Sequence, residues 1–227
     1  MYEHLSKRLG GPPNASLNAL YECWSQGDWG MVFTGNVQVD PEHLSLGWDV
    51  VIPKRGTHDT QQLEKFKQWA NTIKGSKSGN RNDRRPLAIM QLSHAGRQSP
   101  NFLGGRRLFK RPLSSSATRV GTGPNNRASQ NASFAVQWIS RIAYAIFFQT
   151  AREATLGDID AIVDAFVRAA QVAFEAGFDG VELHSAHGCK YRPFLYPQRH
   201  HFKTMLDLLS QFMSRRVSSP FNHEKRN

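Results

Sequence analysis

The sequence predicts an α/β protein built on a parallel sheet, and three stretches carry that expectation. Met31-Val32-Phe33-Thr34 and residues 87–92 are short apolar runs of strand length. Between them, residues 58–73 place Leu63, Phe66, Trp69, Ala70 and Ile73 at three- and four-residue intervals, one apolar face of a helix. Further on, residues 159–176 carry the stripe Ile162, Val163, Phe166, Ala169, Ala170, Ala173 and Phe174 just before a third short run at 178–184. A strand that returns parallel to its predecessor needs a long crossover, normally a helix, so repeated strand, helix, strand selects a parallel sheet.

The elements follow in chain order. Residues 17–24 have helical spacing, and Gly27-Asp28 breaks the pattern before the strand at 31–34. The helix over 58–73 has Asp59 and Thr60 as capping candidates. Residues 74–85, rich in Gly, Ser, Asn and charge, read as a loop, after which Pro86 opens the second strand. A long irregular section runs from Ser93 to about Gly157. Asp158 is the expected N-cap of the next helix and Gly177 its stop, and the third strand follows at once. An open sheet and a closed barrel both bind ligands at the carboxyl ends of such strands. Gly35, Gln91, His94 and His184 are expected at or just beyond those ends.

Composition narrows the function. With 227 residues and 39% hydrophobic content, one globular domain is expected, slightly short for a full (β/α)8 barrel. Cys23 and Cys189 form no disulfide framework, and residues 1–13 lack the apolar run of a secretory leader, so a cytoplasmic protein is expected. The longest apolar stretch, 134–148, is interrupted by Gln137, Ser140 and Arg141 and reads as an amphipathic helix or buried connection, with no membrane role. The net charge of +11 invites nucleic acid, but the basic residues fall in separate loops without interleaved aromatics, so nucleic-acid binding is not expected.

Three motifs, GDWGMVFTGNV (27–37), QLSHAGR (91–97) and AGFDGVELHSAHG (176–188), resemble successive motifs of the Old Yellow Enzyme family, and the likeness covers residues 1–188. The resemblance implies a (β/α)8 TIM-barrel in which FMN lies across the carboxyl ends of the strands. NAD(P)H would reduce the flavin, which would pass hydride to a small-molecule electron acceptor such as an electron-poor alkene. Gln91 matches the residue whose amide hydrogen-bonds the flavin pyrimidine, and Gly35 a small residue beside the flavin ring. His184 and His187 match the pair that anchors a substrate carbonyl oxygen and stabilises developing negative charge. His94 and Arg97 lie in a matched loop without an assigned role. No metal is expected, since Cys189, His200 and His201 lack a zinc spacing.

The sequence also departs from the family. The barrel is expected to be incomplete, lacking the first strand and the C-terminal strands that carry the FMN-phosphate loops. Residues 189–207 read as an inserted segment, because family-like text resumes at Leu208-Leu209-Ser210-Gln211-Phe212 within a divergent 208–227 stretch. Cys189 occupies the place of the family's proton-donating tyrosine; neither Tyr191 nor Tyr196 is positioned by the sequence to replace it. Three readings stay open: an FMN-dependent oxidoreductase, an inactive remnant or interaction module, and a basic nucleic-acid-binding protein.

Overall fold

The computed structural model describes residues 3–54, 60–75, 85–120, 142 and 145–184. Helix α1 (Ala15–Ser25) begins where the Asn14 side chain accepts from the Leu17 amide, and it buries Leu17 and Tyr21, four residues apart on one face. Strand β1 (Met31–Gln38) extends four residues beyond the expected run, because its polar residues Asn36 and Gln38 are buried inside the sheet. Strand β2 (Val50–Val51) pairs with its end. Helix α2 (Thr60–Lys74) buries Phe66, Trp69, Ala70 and Ile73 as their spacing predicts, with Thr60 as its first residue. Strand β3 (Leu87–Ser93) follows, then two short strands, β4 (Leu113–Ser114) and β5 (Arg152–Glu153), which pair with each other inside the long irregular section.

Helix α3 (Leu156–Glu175) starts three residues earlier than expected. Its N-cap is Thr155, not Asp158: the Thr155 hydroxyl accepts from the Asp158 amide, while the Asp158 carboxylate accepts from the Thr155 amide, a reciprocal capping box. Asp158 therefore sits in the first turn, where a negative charge faces the positive end of the helix dipole. Gly177 ends the helix at φ +83°, and the Phe178 amide reaches back to the Ala173 carbonyl, so the glycine supplies the left-handed residue this closure needs. Strand β6 (Gly180–Leu183) then joins the sheet. Asp179 latches it in place, exchanging hydrogen bonds with the Ala88 backbone on one side and taking the Lys74 ammonium on the other.

The main sheet has the order β2-β1-β3-β6, all parallel. Its two faces differ. Val37, Val39, Ala88, Met90 and Leu92 point to the helices and form one core with Leu17, Tyr21, Phe66, Trp69 and residues of α3. Trp69 lies at the centre, edge-on to Tyr21 at 5.2 Å and to Phe178 at 5.8 Å. Because strand side chains alternate, Phe33, Asn36 and Gln38 of β1 project to the other face, as do Ile89, Gln91 and Ser93 of β3. Among the described residues no helix is long and apolar enough to cross a membrane. Of the 134–148 stretch, residues 142 and 145–147 are helical, and Ile142, Ile146 and Phe147 lie at the surface, not in a buried connection.

Candidate functional site

The face turned away from the helices is layered by strand register. Its lowest row is Phe33, Ile89 and Gly180; the next is Asn36, Gln91 and Glu182; the row nearest the carboxyl ends begins with Gln38 and Ser93. His184 follows β6 and its amide donates to the Leu92 carbonyl at 2.8 Å, which places it beside Ser93 in that last row. The face therefore passes from apolar to polar toward the carboxyl ends, the direction in which parallel sheets bind ligands.

Two of these rows hold polar groups without partners among the described residues. Asn36 Nδ2 and Oδ1, Gln38 Oε1, Gln91 Oε1 and Ser93 Oγ are buried and have no hydrogen-bond partner among the described residues. Each such group costs about 1–3 kcal/mol if nothing satisfies it, so five in two neighbouring rows make this a surface that a polar ligand or water can satisfy. Gln91 Nε2, by contrast, donates to Glu182 Oε2 at 2.9 Å.

A bulge between Phe33 and Asn36 aims these rows. The Thr34 hydroxyl takes the Gln91 amide at 2.9 Å in place of a ladder carbonyl. The Gly35 amide leaves the ladder for Glu3 Oε1 and the Tyr21 hydroxyl, both at 2.8 Å. A Cβ at Gly35 would fall 1.8 Å from Glu3 Oε2, so any larger residue would require that carboxylate to move. Burial, reinforced by the charge of Glu3 and the hydrogen bond to it, pushes the Tyr21 phenol well above its ordinary range.

The loops beyond β1 and β3 meet in a second cluster. Asp40 Oδ2 lies 2.7 Å from His43 Nδ1 and 3.7 Å from His94 Nε2, and the two imidazoles stack at 4.5 Å. Burial alone would raise the Asp40 carboxyl, but the hydrogen bond to His43 and the nearby His94 imidazole hold it well below the usual carboxylate range. Asp40, His43 and His94 are residue types that bind metals, with candidate ligand atoms within 4.8 Å of one another. Their hydrogen bonds oppose that use. The Leu113 amide donates to His43 Nε2 and the Gly96 amide to His94 Nδ1, so each ring carries its proton on the nitrogen that faces Asp40. A metal ligand needs a bare lone pair there, with the other nitrogen donating. Arg106 ties the same loops together through the carbonyls of Glu42, Ser99, Pro100 and Lys110; its burial lowers the guanidinium to about 10.

The expected site residues are thus partly assembled. Gln91 and His184 lie on adjacent strands of one face, Gln91 inside β3, not at its end, and His184 just past β6. Gly35 also lies inside its strand, at the bulge. His94 belongs to the Asp40 cluster, and Arg97 reaches Thr118 at the surface. His187, Cys189, Tyr191, Tyr196 and the 189–207 and 208–227 segments lie outside the described residues. Sequence reading missed Asn36, Gln38, Glu182, Asp40 and His43; for the first three the signal was polarity at alternate strand positions, which becomes visible once the strand register is known.

Comparison with known proteins bears on the family and the fold. The family model described as NADH:flavin oxidoreductase / NADH oxidase family matches residues 6–201. The chain is 33% identical over 183 residues to the NADH-dependent flavin oxidoreductase iliE of Neonectria sp. (strain DH2), covering 81% of this chain and 21% of that protein. It is 36% identical over 176 residues to the NADH-dependent flavin oxidoreductase iccE of Talaromyces variabilis, covering 78% and 37%. Its fold matches that of the old yellow enzyme homologue from Zymomonas mobilis with a TM-score of 0.64 at 18% identity, over 96% of this chain and 54% of that one. Morphinone reductase in complex with tetrahydroNAD matches with a TM-score of 0.64 at 16% identity, over 93% and 55%. The described sheet and helices are therefore those of part of a TIM barrel. The chain spans well under half the length of these curated relatives.

Proposed function

Since this chain belongs to the NADH:flavin oxidoreductase / NADH oxidase family, we propose that it binds FMN against the two polar rows and acts as an FMN-dependent oxidoreductase of the Old Yellow Enzyme type. The observation that carries the proposal is the set of five polar atoms on Asn36, Gln38, Gln91 and Ser93 that have no partner among the described residues. They supply both donors and acceptors, which is what the alternating carbonyl and imide edge of a flavin requires. Gln91 would hold the pyrimidine edge. Gly35, at the bulge beside Asn36, keeps that stretch of β1 free of a side chain. Bound FMN would accept hydride from NAD(P)H and pass it to an electron-poor alkene or similar small molecule. NADH is the preferred reductant by analogy with the named relatives. His184, buried next to Ser93, would together with His187 donate hydrogen bonds to the acceptor's carbonyl oxygen, where negative charge develops as hydride arrives.

Titration of the purified 227-residue chain with FMN, followed by flavin absorbance and fluorescence, tests this reading. Saturable stoichiometric binding is the expected result. The double variant His184→Ala with His187→Ala should then keep FMN but lose alkene reduction by about a hundredfold or more, the scale of removing oxyanion donors. A folded chain that binds no FMN would instead mark a member of the family without its cofactor, and the remnant or interaction-module reading would replace this one.

A further inference from the structure

We infer that Glu182 is a positioning residue for the flavin: by accepting the amide N–H of Gln91, it turns the Gln91 carbonyl oxygen toward the ligand as an acceptor. The inference rests on the FMN reading above and adds a residue and a polarity to it.

A glutamine amide has two ends of nearly equal shape, and its neighbours decide which end faces where. A carboxylate offers only acceptors, so the end of Gln91 that lies 2.9 Å from Glu182 Oε2 is the nitrogen. Strand pairing holds the two residues side by side, Gln91 opposite Glu182, so the contact is built into the sheet and does not depend on a loop. Gln91 Oε1 is then left buried and unpartnered among the described residues. The pyrimidinedione edge of a flavin presents two carbonyls flanking a single N–H at N3, and that N–H is the donor an acceptor-only Gln91 selects. If residue 182 were an amide, Gln91 could turn either end outward and the selection would weaken.

The test compares FMN with N3-methyl-FMN, which lacks that donor, by titrating the 227-residue wild-type chain, Glu182→Gln, and the exchanged pair Glu182→Gln with Gln91→Glu. Wild type should prefer FMN by about tenfold or more, the value of one hydrogen bond of this strength. Glu182→Gln should narrow the ratio to a few-fold. The exchanged pair should restore it, because the carboxylate moved to position 91 accepts from the amide at 182 and still faces the flavin as an acceptor. A side chain with only a packing role would weaken both flavins equally. An unchanged ratio in Glu182→Gln, or no recovery in an exchanged pair with wild-type circular dichroism, overturns the assignment while leaving FMN binding intact. Failure of wild type to bind FMN overturns the functional reading and this inference with it.

Discussion

Asp40 is the residue at which charge and hydrogen-bond direction are most tightly linked. Two imidazole N–H groups point at its carboxylate, while backbone amides occupy the opposite nitrogens of both rings. In Asp40→Asn only one of the two carboxylate oxygens survives as an acceptor, so the new N–H group faces either the imidazoles at the Oδ2 position or the Glu42 amide at the Oδ1 position. The expected loss is about 1–3 kcal/mol at neutral pH, read by urea unfolding. The folded-state pKa is depressed, so the unfolded chain binds the proton more readily. The stabilisation is therefore complete above the ordinary carboxylate value of about 3.9 and is lost as pH falls below it. The gap between wild type and Asp40→Asn should shrink as unfolding is repeated from pH 6 down to about pH 3; a constant gap would mean that the carboxylate's charge is not what matters. Composition offered no sign of this cluster. Asp40 and His43 come from one loop and His94 from another, and only the pairing of β1 with β3 brings them together. Gln91 and His184 were recognisable from their motifs, whereas Glu182 became a partner of Gln91 only through the strand register.

Among the elements, the helices were the most legible in the sequence. Leu63, Phe66, Trp69 and Ile73 write the face of α2 directly, since three- and four-residue spacing has no other compact solution. The ends were less so. Asp158 and Thr155 are both good capping residues, and the choice fell to Thr155 because Asp158 can return a hydrogen bond from the first turn only if Thr155 is the cap. Arg152 adds to this arrangement, holding the half-buried Asp158 carboxylate below its usual range from 2.9 Å. Thr155→Ala should cost about 1 kcal/mol and lower the melting temperature by a few degrees, while Thr155→Ser should cost little; equal losses for both would show that the hydroxyl is not the capping group. Strand β1 was read too short because Gly35, Asn36 and Gln38 look like a turn. The bulge and the buried inner face make strand residues of them.

At the scale of the molecule, the parallel sheet was legible but its exposed side was not. Among the described residues β6 is an outer strand, and Val181 and Leu183, on the side opposite Glu182, remain 39% and 43% exposed. Apolar side chains beside an open strand edge favour association. The purified chain should self-associate with rising concentration in sedimentation velocity, and Val181→Lys with Leu183→Glu should shift it toward the monomer; a wild-type chain that stays monomeric would show that this face is covered in solution. The Asp179 latch has a consequence for synthesis. The unit of β1, α2 and β3 is complete in sequence once residue 93 has left the ribosome, before any of β6 has been made. The groups that Asp179 engages, the Ala88 backbone and the Lys74 ammonium, are then already in place, so β6 docks on a finished edge and the sheet grows outward in the order in which it is translated.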